Sequence, residues 1–566
     1  MLEREKQLEN LGNERFDLVV VGGGISGACL AYDAALRGLR VAIVEKSDFG
    51  SATSSASSKL LHGGIRYLQS LRVDKVRESA LERVYFQNLA PHLCTYVPFL
   101  LPAFRGLAKG KAALRAAMLA YSMVSLGQNR EALRDESRVP APWSVSNEAL
   151  LEMVPWLEGR NDMRGGIVLP ECHMLSSERM TLGMVSGAAA AGAAAANYVE
   201  ATSMRTENGR VTGLTVRDLV GDNTLEVQAR AVANCAGPWI GAVNGSALGR
   251  ARGPATAMSR GSHAVLRGLG LPCAIGLPTK FRIEGVAGRG GRHMFLIPWR
   301  EHVLLGTSYA SHDSNIDDVE PTVEDLRQLI EGVNGAAGRE VIGPDNIVHA
   351  FAGLYPLTTD NVRTGVYQGS GDYAIIDHAQ TDGIAGYYSV AGAKFTTARL
   401  LAEKACDAIA ASLGERFGPC QTKTKSIPAG AIESLDGLVD ELEQLDAADL
   451  GRPRIEQLAR LYGTDAKAIL GIVKEQPELG QPLAADRETI GAEAVYCARH
   501  ELICRLGDFI FRRTGLGTLG RPESAAISTS ARLIGAELGW SGERVTAEAD
   551  TVLSRFARLE KVRSAL

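Results

Sequence analysis

The sequence has no C-x-x-C pair, no apolar run long enough to cross a bilayer and almost no net charge. Its nine cysteines are scattered and odd in number. That excludes a disulfide framework and a thiolate metal site, and leaves reduced, mostly buried thiols in an intracellular protein as the expectation, with no metal. The Ala/Gly stretch at 183–196 is shorter than the ~20 strongly apolar residues that a bilayer requires. The opening MLEREKQLENLGNERFDLVVVGGG carries charges where a signal peptide needs an apolar core. With 61 Lys and Arg against 65 Asp and Glu the formal charge is −4, so nothing global favours nucleic acid and any basic surface must be local. What is present is the composition of a globular protein, 45% hydrophobic and 22% charged. At 566 residues, roughly two to four domains are expected.

The first chemical signal is FDLVVVGGGISGACLAYDAALRGLRVAIVEKSD. An apolar run at 18–21 enters Gly22, Gly24 and Gly27 at G-x-G-x-x-G spacing, followed by a small-residue helix and a second strand that ends at Glu45. Glycine permits the tight turn, the approach of backbone to a pyrophosphate and the close helix-to-sheet contact, while the helix N-terminus offers amides to phosphate. An acid closing the second strand suits a ribose hydroxyl, and Glu45 stands 18 residues past Gly27. The unit predicts a dinucleotide-binding βαβ.

A simple NAD enzyme would continue with another regular helix and strand. This chain has GSATSSASSKLLHGGIRYL at 50–68 instead. The segment resembles the flavin-contacting stretch of the FAD-dependent glycerol-3-phosphate dehydrogenases, members of the D-amino-acid-oxidase-like flavoproteins, whose pattern is S-S-K/R-L-x-H-G-G-x-R-Y-L. The resemblance continues through RAVANCAGPWIG (230–241), MSRGSHAVL (258–266), MFLIPWREHVLLGTSY (294–309) and YYSVAGAKFTTARLLAEKACDAI (387–409), and into a helical C-terminal region carrying RHELICRLGDFIFRRT.

The resemblance implies FAD as cofactor, held by Gly22, Gly24, Gly27, Glu45, Lys46, Ser54, Ser55, Ser58, Lys59, Leu60, His62, Gly63, Gly64, Ala236, Gly237, Trp239, Gly392, Lys394, Thr396 and Thr397. It implies an α/β (α+β) fold with three parts. A Rossmann-type FAD lobe takes 14–90, 155–250 and 350–415, a substrate lobe with a mixed or antiparallel sheet takes 91–154 and 251–349, and a helical domain takes 425–566. In that last domain His500, Arg512 and Arg513 are expected to be cap and surface charges.

The implied reaction is oxidation of an alcohol by hydride transfer to flavin N5, which needs a base and an orienting cation. His263, Arg66 and Lys394 are the candidates, and Tyr67 is expected to line the pocket. The sequence departs from the family where the substrate phosphate is held. Tyr355 and Gly371 stand in place of its two arginines, and Tyr309 in place of the acid of its G-T-T-D turn. Neither a phenol nor a glycine makes the forked bonds of arginine to phosphate. Arg282, Arg292 or Arg363 would have to restore the charge. Glycerol 3-phosphate oxidation therefore stands beside oxidation of a non-phosphorylated or aromatic-bearing alcohol, and beside a non-catalytic flavoprotein relative. The acceptor, quinone or oxygen, stays open, as does a homodimer. The stretch at 105–130 reads as an amphipathic helix that either packs on its own domain or lies on the inner face of the cell membrane.

Overall fold

The computed structural model describes residues 3–105, 110–248, 258–283, 291–312, 314–356, 366–367, 372–392, 394–446 and 448–566, without the side chains of residues 66, 69, 70, 279–283, 291, 292, 356, 366 and 367. Gly371 and Arg363, and the side chains of Arg66, Arg282 and Arg292, therefore lie outside the described residues.

Two sheets organise the chain. The first has eight strands, with the order Ala374–Asp377, Tyr387–Ala391, Thr224–Asn234, Arg15–Val21, Val41–Glu45, Ala194–Asn197 along its main path. Four of the five pairings along that path are parallel. Such strands are covered on both faces and read as continuous apolar runs, as RFDLVVV and VAIVE do. The glycine-rich turn starts a 12-residue helix, Ile25–Leu36, which packs with Ser177–Ala190 and Ala398–Leu413 over one face. Small side chains make this close: a Cβ on Gly187 would come within 2.8 Å of the Tyr32 ring.

The second sheet has eleven strands. Met258–Leu266 lies between His302–Gly306 and Ile347–Pro356, antiparallel to both. Sheet membership departs from the expected lobe division at four strands. Leu60–Leu61, Met163–Met174, Ile347–Pro356 and Val366–Tyr367 belong to this sheet. Met163–Met174 alternates no polar face to water, and its long antiparallel pairing with Cys94–Phe104 holds it there.

The C-terminal residues form a bundle around Leu442, Ile455, Ile469, Ile490, Phe509 and Ile534. The expectation of surface charge is overturned for its two arginines. Arg513 is buried and donates to both oxygens of Asp48 at 2.6 and 2.9 Å, and Arg512 adds a bond to Asp48 at 2.5 Å. Asp48 follows the second strand of the βαβ unit and is fully buried. A buried carboxylate needs paired cations, and these come from the far end of the chain. All nine cysteines are free, and all but Cys420 are buried.

Candidate active site

A cavity of about 810 Å³ opens where the two sheets meet. Its floor is the βαβ turn. Gly22 sits at φ +106°, and a Cβ there would lie 2.7 Å from the Cys235 carbonyl oxygen; a Cβ on Gly27 would lie 2.0 Å from the Gly22 oxygen. Gly24 begins the helix and faces the cavity. Gly22 and Gly24 line the space while Gly27 lies behind it, closing helix against strand. Glu45 accepts the amide of Gly23 at 2.7 Å and of Ser47 at 2.8 Å. Burial raises its carboxyl above the usual range against the pull of those two amides. A glycine floor, an open helix N-terminus and a fixed acid at the strand end are the donor set and clearance that a dinucleotide requires.

The segment at 50–62 crosses the cavity. Ser54, Ser58, Leu60 and His62 line it, and Ser54 Oγ accepts the amide of Ile25 at 2.9 Å. Lys59 does not line it. Its amine turns into the protein, 2.8 Å from both oxygens of Glu178. Ser55 bonds the Ser51 and Ala52 carbonyls, and the Gly63 amide is taken by Glu171 at 2.7 Å. Gly64, at φ +81°, turns the chain beside Ser79. These four expected contacts lie behind the wall, where they hold the segment rather than face the space.

The opposite wall brings Ala236, Gly237, Trp239, Gly392, Lys394 and Thr396 to the same cavity. Thr397 is buried one residue further on, at the start of the Ala398–Leu413 helix. Lys46 lines the cavity and pairs with Asp317 at 2.5 Å, and Asp317 also accepts Trp239 Nε1 at 2.8 Å. Asp317 closes this end from the substrate side. Nothing in its local sequence marks it.

The far wall comes from the second sheet. His263 lines it, buried at 4% exposure, with its ring stacked on Phe351 at 5.3 Å and 20°. Tyr309 and Tyr355 line it as an edge-to-face pair 5.7 Å apart. Tyr67 lies outside the wall, its ring 4.4 Å from the Lys394 amine. His293 and Phe295 also face the cavity. The sequence reading passed over them, although their alternate spacing on Gly291–Trp299 is a strand signal. Among the described residues no arginine lines the space, and its cations are Lys46 and Lys394.

Residues 17–408 match the family of FAD dependent oxidoreductases, and residues 420–545 match the C-terminal domain of alpha-glycerophosphate oxidase. A glycerol-3-phosphate dehydrogenase of Mycobacterium leprae is 30% identical over 563 residues, covering 98% of this chain and 90% of its own length. One of Synechocystis sp. is 28% identical over 553 residues, covering 95% and 96%. The X-ray structure of the glycerol-3-phosphate dehydrogenase from Bacillus halodurans complexed with FAD has a TM-score of 0.76 at 25% identity, covering 98% of this chain and 97% of that one. The family match runs through the glycine floor and both cavity walls, so the chain belongs to the FAD-dependent oxidoreductases of the D-amino-acid-oxidase type and is related to their glycerol-3-phosphate dehydrogenases.

Proposed function

We propose that the protein oxidises an alcohol, with His263 taking the hydroxyl proton and Lys394 and Arg66 orienting the oxygen. The observation that carries this reading is the continuity of one cavity from the glycine floor at Gly22 to His263. FAD, when bound, supplies the hydride acceptor. Gly22, Gly24, Glu45, Ser54, Ser58, His62, Ala236, Gly237, Gly392 and Thr396 line the cavity and would hold it. A ring nitrogen of His263 receives the proton. The Lys394 amine, packed on the Tyr67 ring, stabilises the negative oxygen. Phe295, Tyr309 and Tyr355 exclude water from that end, which strengthens each charge interaction there.

Glycerol 3-phosphate is the substrate that the named relatives suggest. A second reading, a larger non-phosphorylated or aromatic-bearing alcohol, is favoured by the Tyr309–Tyr355 pair and by the lack of arginine among the described lining residues. Aromatic faces suit such a substrate, and among the described lining residues a phosphate would meet lysine but no arginine. An anaerobic visible spectrum separates the two. Prompt bleaching of the oxidised flavin band by glycerol 3-phosphate supports the first reading. A band moved only by unphosphorylated or aromatic alcohols supports the second, and a band moved by no alcohol leaves a non-catalytic flavoprotein.

Contact with a membrane, where quinone would take the electrons, is supported by the helix Lys111–Val124. Its Leu119 and Met123 are each 67% exposed, and nearby Leu126 and Leu71 are 68% and 84% exposed. No helix among the described residues is long and apolar enough to cross a membrane, so such contact would be peripheral.

A further inference from the structure

The strand Ile347–Pro356 runs from the cavity wall to the C-terminal bundle, and rings stand along one of its faces. Phe351 pairs with His263 directly across the strands and stacks on it. Two residues back on the same face, His349 lies 6.2 Å from Phe351. His349 stacks in turn on Phe511 of the bundle at 6.1 Å and 18°, and Phe511 meets Phe556 at 5.4 Å. Of these five rings only His263 lines the cavity. The other four lie behind it, the last two on the π-helical turn Phe509–Arg513 and on Gly542–Arg563.

The stack is flanked by cations. The Lys59 amine is 5.8 Å from the Phe351 centroid and the Arg555 guanidinium 4.2 Å from that of Phe511. Burial first, then Arg555 and Lys59, pushes His349 down to about 3, so the middle ring is neutral and stacks without a charge. On its other side His263 is bounded by Gly306. The cavity histidine is therefore bounded by a glycine on one side and by a column of rings ending in the C-terminal bundle on the other. Interiors packed to crystal density transmit such displacements instead of absorbing them.

We infer that Phe511 is a positioning residue for His263: the C-terminal bundle sets the orientation of the cavity histidine through His349 and Phe351. The consequence for catalysis rests on the proposed role of His263 as base, because a misplacement of about 1 Å in a reacting group costs about 100-fold in rate.

The test uses the FAD-loaded full chain labelled with ¹³C and ¹⁵N in its histidines, with the His263 signals assigned through His263→Gln. Phe511→Leu is expected to shift the His263 ring resonances and to slow flavin reduction at saturating alcohol at least ~10-fold. Half-saturating alcohol and FAD content should stay within ~2-fold, and Phe511→Tyr, which keeps the ring, should recover most of the rate. Unchanged His263 resonances in Phe511→Leu overturn the inference whatever the rate does. Shifted resonances with an unchanged rate uphold the positioning and instead remove His263 from the role of base. If Phe511→Leu does not fold, His349→Leu interrupts the same column one ring closer, and the same two readouts apply.

Discussion

The ring of His263 lies so close to Gly306 that a Cβ on the glycine would come within 2.1 Å of its Cδ2 and 2.6 Å of its Nε2. The two residues are cross-strand partners, His263 on Met258–Leu266 and Gly306 on His302–Gly306. Gly306→Ala is therefore expected to turn the histidine while leaving the glycine floor alone. Stopped-flow reduction of the bound flavin should slow by about 10- to 100-fold, or about 1.4–2.7 kcal/mol of barrier, with FAD content unchanged. A full-speed variant would show that the ring's present orientation is not needed.

The resemblance implies that Tyr355 stands in place of a phosphate-binding arginine, and Tyr355→Arg tests that reading. One charge-assisted bond contributes about 1.5–3 kcal/mol, and KM for glycerol 3-phosphate should fall about 10-fold or more in steady-state assays. An unchanged or higher KM would mean that the phosphate is held elsewhere or is not recognised.

Lys59 and Glu178 form a buried ion pair, the lysine at 2% side-chain exposure and the glutamate at 9%. Removing one partner strands the other, at a cost of about 3–5 kcal/mol. Lys59→Met should lower the thermal midpoint clearly, and Lys59→Met with Glu178→Leu should restore most of it. If Lys59 instead bound FAD directly, the double variant would recover stability but not cofactor, which the ratio of flavin to protein absorbance would report.

Asp48 sits between Arg512 and Arg513. Burial alone would raise its carboxyl, but Arg513 and Arg512 outweigh that and hold it well below the usual carboxylate range. A group depressed in the folded state contributes stability that is complete above its unfolded value of about 3.9 and is lost as pH falls from there toward the lower native value. Urea midpoints of the parent protein should therefore drop from about pH 4 to pH 2. Asp48→Asn should be weaker by about 3–5 kcal/mol at pH 7 and flatter across that interval. Equal slopes would place the acid sensitivity elsewhere.

The exposed apolar face at Leu119, Met123 and Leu126 is tested by co-sedimentation with phosphatidylglycerol vesicles. Changing all three to serine removes enough apolar area to weaken binding at least ~10-fold. No binding by the parent protein would leave the helix as a surface of another kind.

The βαβ unit and its acid were legible because glycine spacing and apolar runs are local properties, and Gly22, Gly24 and Glu45 all face the cavity. The next segment was legible only by half. Lys59, at φ +54°, turns into the protein, and along the short strand Leu60–Leu61 side chains alternate, so that Leu60 and His62 line the cavity while Leu61 does not. A motif names these positions alike, and only the local backbone sorts them. Arg512 and Arg513 misled for a different reason. Their partner is 464 residues from Arg512, and no periodicity carries that far. The same holds for Asp317, whose bonds to Lys46 and Trp239 exist only once the two sheets meet.

The bridge from Asp48 to Arg512 and Arg513 also sets an order of events during synthesis. At about 5–20 residues per second, the ribosome takes roughly 20–90 s to reach the arginines after it has made the aspartate. Until then Asp48 lacks the two arginines that pair with it in the finished fold. The two family-matched segments are thus tied by a buried ion pair that can form only after both have been made.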